Sequence, residues 1–240
     1  MPSDTKVLRW FVWSGIAFIV ILLVGQWVIA DFVPPPSPHN TMARTVRIYV
    51  EHRDRIRIGL IIAVIGSTLA GPWAIAIAIV MRRIEGEVAP LAWLQVAFGA
   101  LLVFEFLVPL MMWEAAAFRP LADPMFTYRL NDLASITYDG LPTTAALQAA
   151  ALGVAILRDR RTAPLLPRWL AYLSFWAAIG FLPGIVNPLA KTGPFAWNGL
   201  LSWWLGLGIF GVWIAGVTYS LLRQAIPAID IELRASTQRG

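Results

Sequence analysis

Six stretches of this chain are apolar for about as long as a helix needs to cross the ~30 Å hydrocarbon core of a bilayer, about 20 residues. They lie near 9–30, 57–81, 90–113, 140–157, 169–190 and 197–222. Backbone N–H and C=O groups find no water in lipid. An uncharged run of this length therefore satisfies them within one helix. The expected fold is all-α: a polytopic membrane bundle of about six transmembrane helices, forming a single integral membrane domain over 1–240. Composition agrees, because 58% of residues are apolar and only 14% charged, against about 25% charged in a soluble domain. Several of the 12 Trp fall near the ends of apolar runs, where interfaces favour them.

The fourth run is the weakest, being short and rich in Ala. Asp123-Pro124 reads as a helix start, with Asp as cap and Pro in the first turn. A helix from Pro124 with a kink at Gly140-Leu141-Pro142 would join the preceding loop to this span. The first run is too long for a cleaved signal peptide, and no small-residue cleavage site follows it.

Orientation is read from Lys and Arg in short connections. With the N-terminus inside, 11 of the 19 basic residues fall on the inner side, including Arg82-Arg83 and the Arg158, Arg160 and Arg161 cluster beside span ends. Both termini are therefore expected in the cytoplasm, with 31–56 and 114–139 outside.

Residue types exclude several chemistries. Without Cys there are no disulfides, thiolate sites or Cys nucleophiles. The two His, His39 and His52, share one polar segment, so bis-His haem ligation between spans and a multi-His metal cluster are both unavailable. No Gly-rich phosphate loop, metal motif or Ser elbow occurs. No cofactor and no metal site are expected. The net charge of +5 reads as orientation and contact with anionic lipid, not as nucleic-acid binding.

The first loop is patterned. "PPPSP" at 34–38 is a stiff spacer. Asn40 or Thr41 can then cap an amphipathic outer segment over 40–56. Arg47, Glu51 and Arg55 are spaced four apart along one face, while Val46, Tyr49 and Val50 form an apolar stripe. A solvated helical arm is favoured over a docking surface.

Glu105 is the anomaly within the spans. At 1.5 Å per residue it lies about 5 Å from the middle of span three, and Ser67, Thr68 and Gln148 fall at similar depth. No Lys or Arg lies within a span to neutralise it, so the acid form is expected, bonded across the bundle to Ser67, Thr68 or Gln148. Pro109 cannot donate to the Glu105 carbonyl, which frees a second polar group there. Glu105, Ser67, Thr68, Gln148 and Trp204 are the candidate ligand-binding residues. A structural hydrogen bond and a proton-handling role are both open for Glu105.

Gly206, Gly208, Gly211 and Gly216 mark span six for close packing, inside the bundle by preference over a dimer seam. Gly71-Pro72 and Pro183-Gly184 interrupt the middle span of each half. Ordinary kinks are the preferred reading over an inverted repeat. Loop 114–139 carries a second polar cluster, with Glu114, Arg119, Arg129, Asn131 and Asp132 as candidates, alongside Asp123 and Asp139. Acid–base chemistry on a lipid-like substrate is one reading. Loop ion pairs and helix caps are preferred.

"PPPSP" before "HRDRIRIGL", "FRPLADP" followed by "LND", then "PRW" and "GPFAWNG", together resemble an uncharacterised family of bacterial multi-pass membrane proteins of about this length. The likeness covers nearly the whole chain and rests on loop motifs. That family has no assigned activity, so it lends a catalytic role to no residue. It implies a bacterial plasma membrane. The function expected is non-enzymatic binding of a hydrophobic ligand or membrane partner in the outer half of the bundle. The alternatives are a small proton-coupled transporter using Glu105, and a membrane enzyme using the carboxylates of 114–139.

Overall fold

The computed structural model describes residues 3–237. Their regular structure is all helical, with no strand among the described residues. Six helices are long and apolar enough to cross a membrane: Thr5–Ile29, Arg53–Glu85, Pro90–Phe118, Pro124–Arg158, Arg168–Leu189 and Leu200–Ser236, here spans one to six. This is the make-up of a multi-pass integral membrane protein. Consecutive spans pack as neighbours, span six closes the ring against span one, and span two also reaches span four. The outer surface carries exposed side chains such as Trp10, Ile179 and Leu189, the apolar band that a bilayer covers.

Short connections set this topology. Between spans two and three the chain turns at Gly86, whose φ of 91° suits a residue without a side chain. The carboxylate of Glu85 then accepts hydrogen bonds from the N–H groups of Leu91 and Ala92, at 3.2 and 2.8 Å, capping span three. Asp123 accepts from the Phe126 N–H at 3.0 Å and starts span four. Residues 114–139 are thus not the outer loop read from the sequence. Glu114 belongs to span three, the connection is about five residues, and helix resumes at Pro124.

Spans one and two approach through glycine. A Cβ on Gly25 would stand 2.5 Å from the Gly59 carbonyl oxygen, and one on Gly59 would meet the Gly25 carbonyl. Only glycine on both sides allows this backbone contact. Span six behaves differently from expectation. Gly216 packs against Leu173, but Gly206, Gly208 and Gly211 have nothing within 4 Å of an added Cβ among the described residues. Gly216 alone of that row makes a close interhelical contact among the described residues, and Gly208 is exposed.

An aromatic column runs through the core. It passes from Trp73 to Trp213, Phe210, Phe106, Tyr138, Trp113, Phe32 and Tyr49, each ring centroid 5.1–6.4 Å from the next. Such contacts contribute beyond the buried area alone. Trp73 donates to Thr218 Oγ1 at 3.2 Å and Trp213 to Ser174 Oγ at 3.1 Å, so the indole N–H groups join spans two and five to span six.

The start of span one and the end of span six lie at one end of the bundle, where Arg9 pairs with Asp230 at 3.1 Å and Arg83 with Glu232 at 3.1 Å. At the other end a surface helix, Met42–Glu51, is capped by Thr41 and lays Val46 and Tyr49 against the bundle. The buried Tyr49 hydroxyl donates to Asn131 Oδ1 at 3.0 Å. Burial, with the Asp132 carboxyl nearby, pushes that hydroxyl well above the ordinary tyrosine range. This helix ends at Glu51. Arg55 belongs to span two, where it pairs with Asp31 at 3.6 Å, and Val50 is exposed.

Candidate functional site

Four spans lose regular α-helical geometry toward the end of the bundle opposite the termini. Span one finishes in a π-helical turn, Val24–Ile29, which carries Gln26. Span four breaks at Leu141-Pro142, just past Asp139. Span five passes into 3₁₀ turns over Leu182–Leu189, with prolines at 183 and 188. Span six begins with a π-helical turn, Leu200–Trp204, held at its start by Leu201 N–H donating to the Pro194 carbonyl at 2.9 Å. Each irregularity re-aims side chains that a continuous helix would point elsewhere, as π turns at functional sites commonly do.

Beside the irregular segments of spans one, four and six lies a cavity of about 90 Å³, which span three also lines and to which span five contributes Phe181. One water needs about 10–15 Å³ by the same kind of measure, so several fit. Its walls are mainly apolar and aromatic, including Leu22, Leu102, Phe106, Phe181 and Phe210. Its polar groups are Gln26, Glu105, Tyr138, Asp139 and Ser202, with the indole of Trp203. No Lys, Arg or His lines it.

Tyr138 organises the site. Its ring stacks on Trp203 at 5.5 Å and 23°, and lies 5.4 Å from Phe106. Its hydroxyl donates to Gln26 Oε1 at 2.8 Å. The oxygen of Gln26 is thereby used, while its Nε2 finds no partner among the described residues. Gln26 is only 1% exposed. Trp203, 5% exposed, likewise has an unpaired N–H, and Asp139 has an unpaired Oδ2. Buried polar atoms without partners are rare, because each carries the cost of lost hydration.

Glu105 accepts a hydrogen bond from the Thr144 hydroxyl. Asp139 lies near enough for the two carboxyl charges to repel. Gly184 of span five sits directly against the Asp139 carbonyl, leaving no room for a side chain. Asn187 on the same segment donates to the Ile136 carbonyl at 3.5 Å.

The structure does not bring Glu105 together with Ser67, Thr68 or Gln148. Ser67 and Thr68 donate to carbonyls of their own helix, at Ala63 and Ile65. Gln148 pairs with Gln95 at 3.0 Å and donates to the Phe98 carbonyl. The reason is length. Span four starts at Pro124, so its midpoint lies near Leu141 and not near Gln148, and Thr144 comes level with Glu105. Trp204 is 38% exposed and meets Trp27 edge to face at 6.0 Å, outside the cavity lining.

The 114–139 candidates are dispersed. Glu114 pairs with Arg57 at 2.8 Å. Arg119 lies over the Phe118 ring, and Arg129 is exposed. Asn131 accepts from Tyr49 and donates to Asp132 at 3.2 Å. Among the described residues, no group of three or more His, Cys, Asp or Glu is placed to hold a metal ion. The site residues that sequence reasoning passed over are Gln26, Tyr138 and Thr144; Asp139, a member of the 114–139 cluster in the sequence reading, lines the cavity from within span four. A glutamine beside Gly25 in an apolar run was the available signal for the first. No protein-family model, curated protein or solved structure matches the chain.

Proposed function

We propose that this chain is a non-enzymatic integral membrane protein of the bacterial plasma membrane that binds a hydrophobic small molecule in the cavity lined by spans one, three, four and six, with Phe181 of span five. The observation that carries this reading is the pair of buried, unsatisfied donors, Gln26 Nε2 and Trp203 Nε1, at the wall of a mostly apolar cavity. Ligand sites combine an apolar lining with a few polar groups that fix orientation. Membrane proteins tolerate irregular backbone where it lines such a cavity. With both termini inside, the cavity falls in the outer half of the bundle. A second reading, a small proton-coupled transporter, is favoured by the two carboxyls sharing one cavity.

The test is a titration of the full-length protein in phosphatidylcholine nanodiscs with three small amphiphiles: 2-amino-1-octanol, 1-octanol and octanoate. Tryptophan fluorescence reports binding, and empty discs give the baseline. Saturable binding of any of the three, lost in Gly206→Phe, supports the cavity. Gly206 lines it and has open space around an added Cβ, so a phenyl ring there occupies the site. Absence of saturable binding by all three, or equal binding by the variant, rejects the reading.

A further inference from the structure

Resting on that binding reading, we infer that the cavity selects an amphiphile with a cationic amine head, seated between Glu105 and Asp139, over neutral or anionic molecules of the same length.

The charge inventory of the site is one-sided. Two carboxyl groups face the cavity from spans three and four, and no basic side chain lines it. Elsewhere several acids pair with arginine: Glu114 with Arg57, Asp230 with Arg9, and Glu232 with Arg83. An ionised carboxyl in an apolar surrounding is costly without a counter-charge, and ionising both groups that line one cavity would add mutual repulsion. A cation supplied from outside removes both penalties. An anionic head would add a third negative charge.

The hydrogen-bonding groups fit the same head. Thr144 occupies one side of Glu105, while Asp139 Oδ2 has no partner among the described residues. An ammonium is all donor, with three N–H groups and no acceptor, and so matches two carboxyl groups. The donors left over, Gln26 Nε2 and Trp203 Nε1, require an oxygen. A hydroxyl next to the amine, or a water carried in with it, supplies one.

The walls fit too. Phe106, Tyr138, Trp203 and Phe210 bring four aromatic rings to the lining, and aromatic faces attract cations most where water is excluded. The volume of about 90 Å³ suits a small primary ammonium head. Ile19, Leu22, Leu23 and Leu207 line the cavity as the apolar wall for a chain.

The same three-probe titration separates this inference from the reading beneath it. The expected result is that 2-amino-1-octanol binds at least ten-fold more tightly than 1-octanol or octanoate. Glu105→Gln and Asp139→Asn should each weaken the amino alcohol at least ten-fold and so shrink its advantage over octanol. Equal affinity for octanol and the amino alcohol in the unmodified protein overturns the preference for a cation while leaving a hydrophobic site in place. Tighter binding of octanoate overturns it as well. Because this comparison uses the unmodified chain, it stands even where a substitution impairs folding. If none of the three binds, the cavity reading itself fails.

Discussion

Asp139 and Glu105 face one cavity from adjacent spans, with no basic residue in its lining to separate their charges. The only side-chain donor given to Glu105 among the described residues is a threonine hydroxyl, from Thr144. The polarity of this site therefore follows from hydrogen bonding and from whatever enters the cavity, not from an internal ion pair.

Replacing Glu105 separates shape from charge. Glu105→Gln keeps an acceptor for Thr144, so the melting temperature in detergent should stay close to that of the original protein. Glu105→Leu strands the Thr144 hydroxyl and should lower stability by about 1–2 kcal/mol, the scale of interhelical hydrogen bonds in membranes. Equal destabilisation by both would show that the hydrogen bond is not what holds Glu105 in place.

Glycine positions should divide sharply. Gly59→Val drives a branched side chain into the backbone of span one, and overpacking of this kind costs about 1–3 kcal/mol or more. Gly208→Val meets open space and should be nearly neutral in a thermal-shift assay. A large loss at Gly208 would reveal a neighbour outside this chain.

Tyr49→Phe removes the only donor to Asn131 Oδ1 that the described residues provide, at a cost of about 1–3 kcal/mol for the acceptor left buried. The effect should depend on pH. Burial holds the Tyr49 hydroxyl above its ordinary range, so the folded protein keeps this proton longer than the unfolded chain does. Its contribution is complete below the unfolded value of about 10 and declines as pH rises toward the higher folded value. Denaturation curves at pH 8 and pH 11 should therefore differ less for Tyr49→Phe than for the unsubstituted protein.

Topology is open to a direct test. Tags at the two termini should both be cytoplasmic, since the arginines at 82–83 and 158–161 lie at the ends of spans two and four. Labelling of either tag from outside intact cells would reverse the orientation. Labelling of one alone would rule out an even number of crossings.

The fold was legible because apolar length needs no partner to be read. Each span carries its own signal, and short connections then make neighbours of consecutive helices. The site was legible only at Glu105, where a carboxyl interrupts an apolar run. Its surroundings were hidden for two physical reasons. Depth along a helix can be counted, but the face a residue presents cannot, so Ser67 and Thr68 shared a level with Glu105 yet bond to their own backbone. Asp139 precedes Gly140 and Pro142, which read either as the end of a loop or as a kink in a helix begun at Pro124, and the kinked helix is what forms. It resumes beyond the break, carrying Asp139 into the bundle.

The ring of spans closes only when span six meets span one, and this orders the protein's birth. A chain that emerges from the ribosome N-terminus first places Glu105 and Asp139 in the bilayer while Ser202, Trp203 and Phe210 are still unmade. Until the last segment arrives, the cavity lacks the wall that Ser202, Trp203, Gly206, Leu207 and Phe210 provide.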